Sequence, residues 1–428
     1  MKLLRLRLAM TTTFKRKIQV PITVIPTERD KPRVAIFLLA YEPFVGGAEL
    51  AVKEITGRLK NDFQFDCFTH KFDKSWNEKE VLGGVAVHRL GKGGEAGDYY
   101  GHPWEKLRYV FRAWRAAEAA HRVRPFRLIW AIMASYGGIA ALIFKLRHPW
   151  VPLLLTLQEG DSEAHILRRV GIFYPLWRML FRRADRVQVI SNYLADFARR
   201  HGAKAPVAVI PNGVAIQESK EARKQRSKKA GKQNEVVIVT TSRLVLKNGV
   251  DILIRAVAEL QKNGGGFRLR IVGGGPEEAK LRALAGKLSV ANRVEFLGQV
   301  PPEQVPQLLR DADIFARPSR SEGLGSSFLE AMSVGLPVVG TNVGGIPDFL
   351  KDPGIVGLKD CTGLFTKLND PKDLAAKIRL LSGNALLREA IVKNAKKLVE
   401  RNYQWDGIAE RMREVFNVCL RQRSGNKL

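Results

Sequence analysis

The chain has 428 residues, which is long enough for two domains with hydrophobic cores of their own. Its formal net charge of +29 at pH 7 favours association with an anionic partner, either nucleic acid or a membrane surface, without indicating a fold. Three widely separated cysteines and seven scattered histidines predict neither a disulfide framework nor a zinc site, and they favour a reducing cytoplasm.

The first half of the chain alternates apolar runs with helical patterns. Residues 1–30 form a basic lead-in that resembles no signal peptide, because Arg5 and Arg7 interrupt any apolar core. A buried strand is predicted from Arg33 onward, and further strands are predicted at 63–69, 128–133, 151–157, 187–190 and 207–210. Because these runs are apolar without alternation and are separated by helices, we predict a doubly wound parallel sheet over 31–216.

The longest uncharged run, 128–144, is short for a membrane span and contains Gly137-Gly138 near its middle. We therefore predict a strand, a turn and a helix in this run, and no membrane-spanning segment.

The second half begins after a lysine-rich stretch at 217–234, which predicts a linker. Residues 235–403 then repeat the βα alternation. Strands are predicted at 236–242, 268–274, 294–298, 313–319 and 336–342, with helices at 249–262, 276–288, 303–310 and 326–334. The chain is helical after Pro371, and 404–428 is assigned to a C-terminal helix.

The most informative segment is 318–348, with the sequence PSRSEGLGSSFLEAMSVGLPVVGTNVGGIPD. Glu322 lies in a loop, and Glu330 lies one turn inside the helix that follows. Gly323 and Gly325 allow close approach of the backbone, and the helix start presents unpaired N–H groups, which suits a phosphate. Carboxylates on both sides can accept hydrogen bonds from hydroxyls, so the segment predicts a nucleotide-sugar site.

The same spacing has a structural alternative, because Ser327-x-x-Glu330 is also a capping box. The whole string nevertheless resembles the Glu-x7-Glu signature of retaining glycosyltransferases of family 4. That resemblance spans about residues 33–420 and implies the GT-B fold, an α/β architecture of two Rossmann-like, doubly wound parallel-sheet domains facing a central cleft. It also implies that the last helix, at 404–423, crosses back onto the first domain.

The resemblance assigns further residues around the donor. Gly46 and Gly47 follow the first strand and open a helix, where the family's first-domain loop faces donor phosphate and acceptor; a plain turn is the alternative. Arg243 and Lys247 would neutralise the pyrophosphate as it leaves. The family usually shows Arg-Leu-x-x-x-Lys-Gly, and here Asn248 occupies its Lys position, so either Lys247 or Asn248 faces the diphosphate.

Three other stretches are informative because each departs from a known motif. The turn containing Gly274 looks like a dinucleotide fingerprint, but its third glycine is Glu278, and the resemblance implies a base pocket instead. Gln158 stands where many relatives carry a His, and Asp161 becomes a candidate for engaging the acceptor. Asp311-Ala312-Asp313 precedes its strand, so we predict a helix end rather than an Asp-x-Asp metal site.

The mechanism implied by the resemblance is retaining sugar transfer without a metal or other cofactor. Glu330 would hold the nucleotide ribose and Glu322 the sugar hydroxyls. The backbone of Gly323, Leu324 and Gly325 would stabilise the departing diphosphate. No residue is placed as a covalent nucleophile, so retention would follow from front-face attack.

Two basic clusters interleaved with aromatic residues, at 106–127 and 168–186, suggest contact with an anionic membrane. In the second cluster Ile166, Val170, Phe173 and Trp177 share helical spacing, and Pro175 predicts two short helices instead of one. An ordinary packed helix with a charged outer face is the alternative.

These features predict a lipid-linked or envelope-polysaccharide acceptor and an enzyme that is cytoplasmic, peripheral on the inner face of the cell membrane. Two other functions compete. Charge alone would fit a nucleic-acid-binding protein, although the chain carries no recognised binding motif and we expect no nucleic-acid partner. A nucleotide-sugar epimerase or a phosphorylase-like enzyme would keep the fold and change the chemistry.

Overall fold

Two parallel β-sheets, one in each half of the chain, organise the computed structural model, which describes residues 31–43, 46–95, 103–215, 235–262, 264 and 266–421. The predicted lead-in at 1–30 and the predicted linker at 217–234 lie outside the described residues. The expected α/β fold of two Rossmann-like domains around a cleft is confirmed.

The sheet of the first domain has eight strands in the order β3-β4-β2-β1-β5-β6-β7-β8. Its central strands are buried on both faces, as in β5, where every residue is buried. The strands are β1 (Arg33–Phe37), β2 (Gln64–His70), β3 (Lys79–Leu82), β4 (Val85–Leu90), β5 (Leu128–Ile132), β6 (Leu153–Leu157), β7 (Arg186–Val189) and β8 (Val207–Val209).

Helices of the first half of the chain cover this sheet. They are α1 (Gly47–Leu59), α2 (Pro103–Val123), α3 (Tyr136–Arg147), α4 (Glu163–Val170), α5 (Tyr174–Arg183) and α6 (Asn192–Arg200). The uncharged run 128–144 forms β5 and the first part of α3, as predicted. Within the described residues, no helix combines the length and apolar composition needed to cross a bilayer.

The edge hairpin formed by β3 and β4 was not predicted. It is the one antiparallel pairing of the first sheet among the described strands. Gly83 and Gly84 join the two strands with φ values of +57° and +93°, which glycine adopts readily. The sequence signal was weak because β3 is short and carries no buried residue.

The second domain contains a six-stranded parallel sheet in the order β11-β10-β9-β12-β13-β14. Its strands are β9 (Val236–Thr241), β10 (Phe267–Val272), β11 (Val294–Gly298), β12 (Ile314–Arg317), β13 (Val338–Thr341) and β14 (Leu364–Thr366). Its helices are α7 (Val250–Gln261), α8 (Glu278–Lys287), α9 (Val305–Arg310), α10 (Ser326–Ser333), α11 (Pro353–Val356), α12 (Pro371–Gly383) and α13 (Ala385–Asn402).

The last helix, α14 (Trp405–Arg421), packs on the first domain. The ring of Phe416 lies edge-on to Phe63 at 5.3 Å and to Trp130 at 5.1 Å between centroids. At the other end of the helix, Asp406 accepts a hydrogen bond from Nε of Arg58 at 2.6 Å. These contacts bury the apolar face of α14 against α1 and the first sheet.

The second basic cluster forms two helices, α4 and α5, as Pro175 predicts. Its aromatic face differs from the expectation in one residue. Trp177 is buried, and its indole Nε1 donates to the carbonyl oxygen of Ala134 at 2.7 Å. The Trp177 ring therefore belongs to the core of the first domain and is not part of an outward aromatic face.

Candidate active site

Predicted site residues of each domain lie at the carboxyl edge of that domain's sheet. In parallel sheets the carboxyl ends of the strands lie at the same edge, where ligands of open α/β sheets bind. Gln158 and Asp161 follow β6, Arg243 follows β9, and Glu322 follows β12. The hydroxyl of Ser321 donates to the carbonyl oxygen of Gly160 at 3.2 Å, so the two edges meet across a shared cleft.

Glu322 is anchored by a strand residue that the sequence analysis did not single out. Nη2 of Arg317, the last residue of β12, donates to Oε2 of Glu322 at 2.5 Å. Nη1 of the same guanidinium donates to Oγ of Ser327 at 2.6 Å. The N-cap position of α10 is Gly325 rather than Ser327, and it makes no side-chain cap bond. The capping-box alternative is therefore wrong.

Glu330 lies inside α10, on the second-domain side of the cleft. Burial raises its pKa from 4.5 to about 7, and the nearby charge of Arg317 acts in the opposite direction. A carboxyl group that titrates near neutrality can donate as well as accept hydrogen bonds. Such a group suits a ligand with adjacent hydroxyls, which are both donors and acceptors.

Glycines let three backbone segments touch at the donor loop. An added Cβ at Gly344 would lie 1.8 Å from the carbonyl oxygen of Glu322, and one at Gly323 would lie 2.5 Å from that of Glu159. Gly325 has φ +100°, a left-handed conformation that favours glycine. The side chain of Leu324 is buried in the core, so only the backbone of this residue is available to the cleft.

The side chains of Lys247 and Asn248 have different surroundings. Nζ of Lys247 reaches across the cleft to Oδ1 of Asp161 at 2.8 Å. Asn248 is buried, and its amide donates to the carbonyl oxygen of Arg243 at 2.7 Å, which braces the turn. Lys247 is therefore the residue of the two that faces the cleft, although Asn248 occupies the position expected for lysine.

The loop of Gly46 and Gly47 lies opposite Arg243. Gly46 is the N-cap of α1 and has extended backbone, and an added Cβ at Gly47 would meet open space. Glu49, in the first turn of α1, has its pKa raised to about 7 by burial, with the charge of Arg243 acting against that rise. The first turn of α1 and the exposed Arg243 side chain are thus electrostatic neighbours.

The loop after β6 carries the remaining first-domain candidates. Oε1 of Gln158 accepts from Nδ2 of Asn212 at 2.9 Å, which ties the loop to the Asn-Gly turn before the linker. Burial acts to raise the pKa of Asp161, but the hydrogen bond and charge of Lys247, with His165 and Arg169, bring it below its usual value.

Glu159 was not predicted as a site residue. It is buried, its Oε1 accepts from the backbone N–H of Ala134 at 2.7 Å, and its Oε2 has no hydrogen-bond partner among the residues that the structure describes. Burial raises its pKa to about 7. Its position between Gln158 and Gly160, in the loop after β6, was the available sequence signal.

Another interdomain contact involves the turn after β13. Oδ2 of Asp348 accepts from the backbone N–H of Asn192, at the start of α6, at 2.8 Å. An added Cβ at Gly345 would lie 2.7 Å from Cβ of Ser191. The second Gly-rich turn therefore docks against the first domain and does not end in solvent.

Two further predicted stretches, those of Gly274 and Asp313, contact neighbouring parts of the second domain. Gly274 follows β10, and an added Cβ would lie 3.4 Å from Cγ of Gln299, beside the turn after β11. Oδ2 of Asp313 accepts from the backbone N–H of Val237 at 2.8 Å. That bond ties the entrance of β12 to β9, a structural use of a residue from the Asp-x-Asp stretch.

Comparison with known proteins matches both halves of the chain. The family described as Glycosyl transferases group 1 matches residues 221–398, and the family described as Glycosyl transferase 4-like domain matches residues 46–213. An uncharacterized glycosyltransferase of Methanocaldococcus jannaschii is 31% identical over 415 residues, covering 91% of this chain and 98% of that protein.

Two other similarities bear on the site. A GDP-mannose-dependent alpha-(1-6)-phosphatidylinositol monomannoside mannosyltransferase of Mycolicibacterium smegmatis is 37% identical over 193 residues, 42% of this chain and 50% of that protein. The crystal structure of Anabaena HepE in complex with UDP-glucose has a TM-score of 0.70 at 21% identity, covering 90% of this chain and 99% of that one. This likeness shows the shared fold.

Proposed function

The chain belongs to the group 1 glycosyltransferases with a 4-like first domain, and from that premise we propose a donor, an acceptor and a stereochemical course. The donor is a nucleoside-diphosphate sugar. The acceptor is a lipid-linked or envelope-polysaccharide glycan. The sugar is transferred with retention of its anomeric configuration, without a metal or another cofactor.

One observation carries this proposal: two cations and a glycine-rich backbone loop of the second domain lie along the cleft, where we place the diphosphate of the donor. Nζ of Lys247 reaches across to Asp161, Arg243 is exposed and its charge acts on Glu49 of the first domain, and the loop of Gly323 and Gly325 touches the backbone of Glu159. Cations and N–H groups aimed at one point stabilise the charge that develops on a departing diphosphate. Two named proteins support the donor class, since one relative is GDP-mannose-dependent and the Anabaena structure holds UDP-glucose.

The two glutamates take different parts of the donor in this proposal. Glu330, whose pKa is about 7, bonds the vicinal hydroxyls of the ribose as donor and acceptor. Glu322, oriented by Arg317, accepts hydrogen bonds from the hydroxyls of the transferred sugar. The base would lie along Gly274, which stands beside the turn after β11.

Retention is proposed to follow front-face attack. The acceptor hydroxyl approaches from the first-domain side of the cleft, where Gln158 and Asp161 lie, and passes its proton to the leaving phosphate oxygen. The bond between the anomeric carbon and that oxygen breaks as the new glycosidic bond forms. Because Arg243 and Lys247 balance the diphosphate charge, this step requires no metal ion.

Exposed apolar side chains beside arginines support the proposal that the enzyme binds its acceptor at an anionic membrane. On α2, Trp104, Leu107 and Phe111 recur at helical spacing with exposed fractions of 70%, 41% and 53%. Arg108 and Arg115 on the same helix are exposed. A basic helix with an apolar face binds anionic lipid in two ways: its basic side chains are attracted to the lipid charges, and its apolar side chains are buried in the membrane.

The turn between α4 and α5 repeats this combination. Ile172 and Phe173 are 88% and 61% exposed, and Arg168 and Arg169 beside them are exposed as well. The Mycolicibacterium relative is named for a phosphatidylinositol monomannoside, a lipid, which supports a lipid-linked acceptor. We place the enzyme in the cytoplasm, peripheral on the inner face of the cell membrane.

The alternatives have less support. The epimerase alternative is not favoured, since both matched families are described as glycosyl transferases. A nucleic-acid-binding protein would leave the converging site loops without a role, and we propose no nucleic-acid partner.

The test is acceptor-dependent release of nucleotide. The full chain is incubated with UDP- and GDP-sugars, in EDTA, with and without a lipid extract from cell envelopes, and free UDP or GDP is quantified. The proposal predicts release from one donor that rises with lipid and yields a labelled glycolipid. Formation of a free sugar-nucleotide epimer without acceptor would contradict it.

A further inference from the structure

The ion pair between Lys247 and Asp161 joins the two domains across the cleft. Nζ of Lys247 lies 2.8 Å from Oδ1 of Asp161, and the side chains remain 26% and 33% exposed. Lys247 comes from the short turn after β9, and Asp161 comes from the loop after β6. The pair therefore exists only while these two loops lie close together.

Asp161 stands among cations. Besides Lys247, Nη1 of Arg169 lies 3.5 Å from Oδ2 of Asp161, and the charge of His165 also acts on this carboxylate. Gly160 keeps the approach open, because an added Cβ there would lie 3.1 Å from Nζ of Lys247. One carboxylate thus occupies the anion position that these cations create.

We propose that Asp161 is a positioning residue that competes with the donor diphosphate for Lys247. The inference rests on the proposed function, in which Lys247 binds that diphosphate. While the donor is absent, Asp161 holds the lysine ammonium in the cleft. When the diphosphate binds, Lys247 turns to it, and Asp161 is released toward the acceptor side.

This exchange has two consequences for catalysis. Part of the attraction between Lys247 and the donor replaces an existing ion pair, so donor affinity is lower than it would be with a free lysine. Asp161 becomes available to an acceptor hydroxyl only after Lys247 has left it. Donor binding therefore precedes productive acceptor binding.

The experiment measures nucleotide affinity by calorimetry at about 0.1 M salt, where distant charges are largely screened. The probes are UDP, GDP, ADP and dTDP, with the matching nucleosides as ligands that lack a diphosphate. Asp161→Asn is expected to bind the preferred nucleoside diphosphate about two- to five-fold more tightly than the wild type, the range measured for partly exposed ion pairs. Nucleoside affinity stays unchanged.

Two further variants separate the ion pair from a general charge effect. In a Lys247→Met background, Asp161→Asn should give no gain in affinity, because the competition is gone. Glu163→Gln removes a nearby carboxylate that pairs with Arg200 and His201 and has no bond to Lys247, so it should leave diphosphate affinity unchanged.

The outcomes are distinct. A gain that needs Lys247 supports the proposal. An equal gain in both backgrounds, or weaker binding by Asp161→Asn, overturns it while the donor site stands. If the wild type binds none of the four nucleoside diphosphates better than the matching nucleoside, the proposed donor site fails, and this inference fails with it.

Discussion

Arg317 donates a hydrogen bond from Nη2 to Oε2 of Glu322 at 2.5 Å, and its guanidinium is buried beneath the donor loop. The same group bonds Ser327 at the start of α10 and stacks over the ring of Phe328 at 5.0 Å. The first glutamate of the Glu-x7-Glu pair is thus fixed by the strand below it. One oxygen of Glu322 is engaged by arginine, and Oε1 faces Gly160 of the first domain.

The Arg317–Glu322 pair makes a stability prediction. Its side chains are 7% and 17% exposed, so Arg317→Met leaves a largely buried carboxylate without its partner. We expect the free energy of unfolding to fall by about 3 kcal/mol, measured by urea unfolding. Arg317→Met combined with Glu322→Gln removes both charges and should regain most of that loss. Equal destabilisation in the single and double variants would refute the pairing.

Gly344 tests whether the donor loop depends on close backbone contact. Gly344→Ala places a Cβ 1.8 Å from the carbonyl oxygen of Glu322, so the loop must move. A displacement of this size is expected to reduce transfer about a hundredfold. Gly357→Ala is the matched control, because Gly357 also has positive φ, +73°, but open space around it. If both variants lose activity equally, backbone strain rather than the loop contact is responsible.

Glu159 makes a prediction about pH. Its pKa is about 7 in the folded chain against an ordinary value of 4.5, so burial of the charged form costs stability as pH rises from 4.5 through 7. Glu159→Gln keeps the acceptor for the Ala134 N–H and cannot ionise. The variant should be more stable than the wild type by about 3 kcal/mol at pH 8, with little difference at pH 4.5. A stability difference that is the same at both pH values would contradict this.

Membrane contact is tested on α2. Trp104→Ser with Phe111→Ser removes two exposed apolar side chains, each worth about 1.5–3 kcal/mol when buried in lipid. Sedimentation with vesicles containing phosphatidylglycerol should weaken by at least about tenfold. Ile355→Ser is the control, since Ile355 is 72% exposed on the second domain. Binding that does not depend on anionic lipid, or an equal loss in the control, would remove the membrane proposal.

The sequence was sufficient for the fold because the strands are buried apolar runs between helices. β11 was predicted at its observed bounds, and β9 and β10 within two residues. The hairpin of β3 and β4 was missed because an exposed edge strand has no apolar run. The choice between Lys247 and Asn248 required the orientation of a tight turn, which residue spacing does not determine.

Site residues could be predicted where they lie close together in one sequence motif. They could not be predicted where their role depends on how the chain packs. Glu322 and Glu330 lie in one motif. Arg317, by contrast, lies in a strand that reads as apolar, and its partner is chosen by the path of the following loop. A charged residue inside a buried strand was itself an anomaly that could have flagged it. The prediction that Trp177 belongs to an outward face was wrong, because helical spacing does not distinguish a core face from an outer one.

The central claim is a nucleoside-diphosphate site built on Glu330, and thermal unfolding with UDP, GDP, ADP and dTDP tests it most directly. A nucleotide at about 100 times its dissociation constant adds roughly 2.7 kcal/mol, which is readily seen as a rise in Tm. We expect one nucleotide to raise the Tm of the wild type and of Glu322→Ala, which should no longer transfer sugar, and to leave the Tm of Glu330→Ala unchanged. No rise with any nucleotide, or an equal rise in Glu330→Ala, would contradict it.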